Sequence, residues 1–501
     1  MDNSYLNSSI WNEVEIKLNK EKPVNETDIL IIGAGMTGIM IAYELSKSNQ
    51  NVVLVDSNSI ASLVTMKTTA MITSMHNFSY QKIKKHHGLE AAKLYYDSQE
   101  EGIKSLLKNI DEHQIDCDLK KEIFYNYATT DSGKNKLNKE IDVLKKLKVP
   151  IKIRHSLPID IKIKKAFSYD KSYSFHPMKY LKAIIEILEK QNVKILENYH
   201  VIRYEKNENN YLISFENGQK MKAQKVVVAT NYPIFNESGF YFTKLYQEKD
   251  YVIAFETNKK IEGIYMNTDS PSAYLRSHLG VGILGGNSHA AGAKVSYDQL
   301  MLDLKASVFK IDKNATILNE WTNQDVLSND FLPCIGNYSS SEANMYVATA
   351  YQAWGMSNSH VAAKLISDLI LGKENRYKSL YRPSRLSYLK SPLESLKLVG
   401  KSINGLLLSR ICIPKKTIAH LKKGAGGIIK HEGCHYAVYN TGSEYLFLKP
   451  NCPHAHCNLH FNQLELTWDC KCHGSRFDVN GNILYGPATK PLERIYFDFI
   501  D

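Results

Sequence analysis

The chain has 501 residues, 43% of them apolar and 23% charged, a balance that excludes a disordered, collagen-like or heptad-repeat protein and leaves room for roughly three domains. Its net charge is +11, but residues 421–501 carry eight basic and eight acidic side chains, so the whole excess lies in residues 1–420. Four of the eight cysteines, Cys452, Cys457, Cys470 and Cys472, crowd into that neutral tail, which points to a metal or redox site rather than to general disulfide stapling.

Residues 1–25 form a lead without the apolar stretch of a signal peptide, and no uncharged apolar run reaches the about 18 residues that a membrane span needs. The expectation is a cytoplasmic protein with no transmembrane segment. From Asp28 the chain reads DILIIGAGMTGIMIAYELSKSNQNVVLVD: an apolar strand, a glycine turn, a helix, and a second strand ending in Asp56. Gly33, Gly35 and Gly38 fit G-x-G-x-x-G, in which the glycines allow a tight turn, approach of a pyrophosphate and close helix packing, while the distal acid accepts from a ribose. The glycines alone leave NAD and FAD open. The segment 59–77 that follows is small and hydroxyl-rich, not another strand-helix crossover.

Residues 145–165 hold eight basic side chains and one acid, Asp160, with Lys alternating with Ile or Val. That pattern predicts edge strands with a solvated face, and without interleaved aromatics it argues against nucleic-acid binding. Residues 221–233 read as a strand ending in an Ala-Thr turn, and 345–372 as a strand entering a helix through a glycine turn. Residues 386–420 look like a connector; within it, 396–414 is the most apolar stretch but is broken by Lys397, Lys401 and Arg410, and reads as a linker helix. Short apolar runs between turn residues over 421–501 predict a small all-β module.

Gly33 to Gly38, Asp56, Thr68-Thr69-Ala70, Phe175-His176-Pro177, Ala229-Thr230, residues 332–336 and Trp354-Gly355-Met356 together resemble the FAD-dependent oxidoreductases of the D-amino-acid oxidase, glycine oxidase and sarcosine oxidase superfamily, over residues 26–385. The resemblance implies an α/β fold: a Rossmann-like FAD-binding lobe (26–110, 175–232, 325–380) and a mixed-sheet substrate lobe (111–174, 233–324). It also implies FAD as cofactor, with Gly33, Gly35, Gly38, Asp56, Thr68, Thr69, Ala70, Thr230, Gly355 and Met356 as its contacts. Family chemistry suggests CH-NH or CH-NH2 donors, hence a small amine or amino acid. Candidate catalytic residues are Arg276, His289 and Tyr351, with His76 a further contact. Arg276 is suited to pair with a carboxylate, although a strand arginine is more often structural, and both histidines have a scaffold role as the competing reading.

In the tail, Cys452-x-His454 is followed after fifteen residues by Cys470-x-x-His473. Two thiolates and two imidazoles hold tetrahedral zinc or a [2Fe-2S] cluster with histidines on one iron. The spacing, with Cys457, Cys472, Gly474-Ser475 and Gly486-Pro487-Ala488, closely resembles a Rieske domain over 421–501. The resemblance makes Cys452, His454, Cys470 and His473 the iron ligands, and Cys457 and Cys472 a disulfide bridging the two loops. Pro453, Ala455-His456 and Lys471 depart from the usual Thr, Leu-Gly and Pro, and His456 reads as a surface residue.

The combination resembles a Gram-positive group of FAD-dependent oxidoreductases with a C-terminal Rieske domain. It implies a dehydrogenase that takes a hydride from a small-molecule substrate and passes single electrons to an acceptor, protein or quinone. Met71 and Ala353 stand where members of the flavin superfamily often carry lysine, which favours transfer to the Rieske centre over reaction with oxygen. The alternatives are a non-catalytic flavin and Rieske electron carrier or redox sensor, and a Rieske oxygenase, for which no 2-His-1-carboxylate pattern is evident.

Overall fold

The computed structural model describes residues 8–497 apart from 20, 22, 77, 236–238, 294, 386–417, 419–420 and 432. Cys412, the expected linker helix at 396–414 and nearly all of the expected connector lie outside the described residues. No helix among the described residues is long and apolar enough to cross a membrane.

The first sheet has eight strands. Its parallel centre aligns Glu26–Ile32 between Val52–Val55 and Lys220–Val228, with Lys194–Leu196 and Glu342–Thr349 outside them. Such strands are covered on both faces, which is why ILII and VVLV are continuous apolar runs without alternation. Helices Met36–Ser46, Pro177–Lys190 and Gly355–Ile370 pack into the cluster on one side.

The second sheet has nine strands and is mixed. It takes in the two-residue strand Met71–Ile72 and its edge strand Thr316–Ser328 runs past the expected lobe boundary at 324. The lysine-rich stretch forms only one short strand, Lys152–Arg154; beyond it Leu157, Ile159, Ile161 and Ile163 turn inward onto the substrate-side core while their lysine neighbours face water. The alternation is therefore realised largely in irregular chain outside any ladder.

Strands Leu245–Glu256 and Thr316–Ser328 pair antiparallel, with Glu248 opposite Asp325, Lys249 opposite Gln324 and Asp250 opposite Asn323. Side chains of a strand alternate between faces and cross-strand partners share one. Val252, Ala254 and Trp321 thus belong to the core next to the first sheet, and Tyr251, Ile253 and Phe255 to the opposite core. Carried two to four residues along, the same alternation puts Glu248, Asp250, Asn323 and Asp325 on the first-sheet side and Gln247, Lys249, Thr322 and Gln324 on the other.

That other side receives the C-terminal module, two four-stranded antiparallel sheets. Lys249 pairs closely with Glu465, which also meets Arg476 at 2.8 Å and accepts from Thr322; Arg476 in turn reaches Asp469 at 3.2 Å. All four charged side chains are at least 95% buried. Burial would raise Asp469, but Arg476, Lys249 and His460 outweigh it and hold the carboxyl below its usual range. Tyr297 adds a hydrogen bond to His460 at 2.8 Å. Replacing one member of such a network strands the others. Glu465→Gln is expected to lower stability by about 3 kcal/mol, measured as a shift in the denaturant midpoint; an unchanged midpoint would mean the charges are solvated.

Candidate functional site

Gly33 ends the first strand at φ +106°, and a Cβ there would lie 2.5 Å from the Ala229 carbonyl oxygen. A Cβ on Gly38 would lie 1.8 Å from the Gly33 oxygen, so helix Met36–Ser46 packs on the turn only because neither residue has a side chain. Its N-cap residue, Gly35, offers no side-chain acceptor. The Met36 amide donates to Thr65 Oγ1 at 3.0 Å. Asp56 accepts from the Ala34 amide at 2.7 Å and from Asn58 at 2.9 Å; burial pushes its carboxyl up while these donors oppose the shift.

A cavity of about 700 Å³ opens on this turn. Gly33, Gly35, Asp56, Thr68, Thr69, Thr230, Gly355 and Met356 line it. Gly38 and Ala70 do not: the first serves packing, and the second is fully buried at φ +52°. A helix N-terminus with open glycines facing a long cavity fits a dinucleotide. Gln352 and Ala353 line the cavity at φ +56° and +66°, and Ala350 just before them is at φ +61°, three non-glycine residues in the left-handed region. This conformation costs about 1 kcal/mol per residue and is held by Gln352 donating to Ser328 Oγ at 2.7 Å and Asn358 donating to the Trp354 carbonyl at 2.9 Å.

At the far end of the chain, loop 452–457 and the hairpin loop between Thr467–Cys470 and Arg476–Phe477 come together. Cys457 and Cys472 form a disulfide across them. Cys452 and Cys470 are each 1% exposed and their thiols touch. The Cys452 sulfur accepts from the His454 and Ala455 amides and from Ser475, and the Cys470 sulfur from the Cys472 and His473 amides. Rings of His454 and His473 meet edge to face at 4.9 Å, and burial lowers them to about 4 and about 3, so both are neutral. The sulfurs of Cys457, Cys470 and Cys472 also lie within 4.8 Å of one another, but the bridge consumes two of them. Two buried thiols with amide donors facing two neutral imidazoles fit a [2Fe-2S] cluster. His456 is exposed.

The profile of the FAD dependent oxidoreductase family matches residues 28–369, and that of the Rieske [2Fe-2S] domain matches residues 413–496. The chain belongs to the FAD dependent oxidoreductase family. Its cofactors are FAD and a [2Fe-2S] cluster. It is 32% identical, over 94% of both chains, to the Rieske 2Fe-2S iron-sulfur protein YhfW of Bacillus subtilis. Among solved structures it resembles glycine oxidase from Geobacillus kaustophilus (TM-score 0.63, 16% identity, 72% of this chain and 99% of that one). L-proline dehydrogenase from P. horikoshii is similar (TM-score 0.61, 20% identity, 72% of this chain and 98% of that one). At those identities the likeness is one of fold.

Within this oxidoreductase, Arg276 does not line the cavity. It is 1% exposed and donates to the Thr69 carbonyl at 2.5 Å and to Ser277 at 3.0 Å; burial lowers it to about 9. The neighbouring carbonyls are pinned in the same way, Lys67 by Trp321 at 2.9 Å and Thr68 by Trp11 at 2.7 Å. Three buried donors from other segments therefore hold the 67–69 backbone that lines the cavity. Trp11 lies in what the sequence presented as a lead, and nothing local marks it. His289 is also off the cavity, bonded to Tyr251 at 3.1 Å and to the Ala290 carbonyl at 2.9 Å on the side facing the Rieske module. His76 is buried, stacks on Trp354 at 4.5 Å and is lowered to about 3 by burial. Tyr351 lines the cavity, as do Met71 and Ala353.

The charged groups that do enter the cavity from the strand pair are Glu248, Asp250 and Asp325, beside Tyr274, Ser288 and Asn323. Burial raises Asp250 to about 6. Burial, then repulsion from Asp250 and Glu248, raises Asp325 to about 7. Sequence motifs missed these acids because two sit in one strand and the third in another far along the chain; the alternation in LYQEKDYVIAFE and TILNEWTNQDVLS is the signal that would have found them. Gly38→Ala is expected to cost about 2 kcal/mol through overpacking and to strip flavin from the purified protein, read from its visible absorbance. Full flavin occupancy in that variant would contradict the packing account.

Proposed function

We propose that this chain is an FAD-dependent dehydrogenase of small cationic amines that passes electrons one at a time through its own Rieske cluster to an external acceptor. The observation that carries this reading is the two-faced strand pair, with carboxylates entering the flavin cavity from one face and the cluster hairpin seated on the other. When bound, FAD supplies hydride acceptance with single-electron release, and the cluster supplies one-electron carriage.

The glycine turn, Asp56, Thr68, Thr69, Thr230, Gly355 and Met356 would hold FAD. Cys452, His454, Cys470 and His473 would hold the cluster. Glu248, Asp250 and Asp325 attract an ammonium group; Lys67 and Lys82 also line the cavity, and Arg276 does not join them to pair with a substrate carboxylate. An amine must lose a proton before its C-H bond can give up a hydride, and a carboxylate poised near neutrality, as Asp325 is, suits accepting it. The acceptor would approach by His454, which is half-buried, since His473 is 5% exposed and faces the flavoprotein body.

Both acids have folded-state values above the ordinary carboxylate range, so their ionised fraction grows as pH rises through about 6 and about 7. Amine affinity, read from anaerobic flavin bleaching, is expected to improve roughly tenfold between about pH 5.5 and about pH 7.5, and Asp325→Asn should flatten the upper part of that rise. Simple amines should bleach the flavin and then give the rhombic EPR signal of a reduced Rieske cluster. Bleaching by carboxylate-bearing amino acids alone, with a pH-independent constant, would overturn the reading.

A further inference from the structure

The second cluster loop is enclosed by the flavoprotein body as well as by its own module. Gln247 Nε2 donates to the His473 carbonyl at 2.6 Å and to the Gly486 carbonyl at 3.1 Å. Gln324 Nε2 donates to the Gly474 carbonyl at 2.7 Å and to Gln247 Oε1 at 2.8 Å, so the two amides form one chain of hydrogen bonds. Gln247 is 4% and Gln324 1% exposed, which strengthens these bonds and makes their loss costly. The loop sits close: a Cβ on Gly474, at φ +83°, would lie 2.9 Å from Gln247 Nε2. From another side, a Cβ on Gly292 would lie 2.3 Å from Lys471 Cα and 2.7 Å from the Cys470 carbonyl oxygen, so the turn after strand Val281–Ala290 lies directly against the backbone of the hairpin.

We propose that Gln247 and Gln324 are positioning residues for flavin-to-cluster electron transfer, fixing the 473–474 backbone and with it the His473 imidazole against the flavin-bearing body. This rests on the reading of His473 as an iron ligand. Neither glutamine touches the iron site through its side chain; Gln247 acts through the carbonyl of the ligand His473, and Gln324 through that of the next residue, Gly474, and through Gln247. A site whose support is loosened by about 1 Å typically loses rate by one to two orders of magnitude. The donated amide dipoles also place partial positive charge beside the outer ligand, which favours the reduced cluster.

Methionine keeps the length and volume of glutamine but has no donor, which separates packing from hydrogen bonding. In the full-length, cofactor-loaded protein, Gln247→Met and, separately, Gln324→Met are expected to slow cluster reduction after anaerobic flavin reduction roughly tenfold. Both should also shift the g values of the reduced cluster and lower its midpoint potential. A normal EPR spectrum, potential and transfer rate in both variants would overturn the positioning role. Absence of any Rieske signal from the unaltered, iron-loaded protein would instead overturn the ligand reading on which it stands, and the positioning role with it.

Discussion

The flavoprotein body and the Rieske module meet along one antiparallel strand pair whose side chains alternate between the two. Because consecutive residues point to opposite faces, the run Gln247-Glu248-Lys249-Asp250 serves two compartments at once: Gln247 and Lys249 hold the Rieske module, and Glu248 and Asp250 line the cavity, which Gln247 also reaches. A one-residue slip of register would exchange the two sets. The pairing is pinned along its length, from Leu245 opposite Ser328 to Ala254 opposite Asn319 without interruption.

This constraint explains why buried charge is concentrated where the two modules meet. Ionised groups are costly to remove from water and persist only when paired. Lys249 meets Glu465 across the seam, at a burial that pulls the lysine well below its ordinary range, while Glu465, Asp469 and Arg476 pair within the module, so the flavoprotein supplies only one of the four. The module is thereby seated in one orientation, with Tyr485, Gly486 and Ala488 closing part of the same cavity that reaches the glycine turn. Residues of the strand pair and of the module thus line one cavity.

Much of this was legible in the sequence where chemistry demands a local pattern. The glycine turn with its distal Asp56, and the Cys-x-His and Cys-x-x-His spacings, identify their modules because a pyrophosphate turn and a cluster loop each need fixed residues a fixed distance apart. Residues that act by long-range burial left no such mark. Trp11, Trp321 and Arg276 converge on three consecutive carbonyls from positions 57, 254 and 207 residues away, and Arg276 looked like a substrate contact because an isolated strand arginine carries no sign of which face it takes. His289 misled for the same reason. The lysine-rich stretch showed a true alternation but not that most of it would remain outside a ladder.

The central claim is that electrons pass from the flavin side of the strand pair to the cluster side within a single chain. Single-turnover reduction of the cluster, followed after anaerobic flavin reduction over a wide range of protein concentration, tests it most directly. The account predicts a first-order rate constant that does not change with concentration. A rate rising in proportion to protein concentration would show that the cluster is reduced by another molecule, and would contradict it.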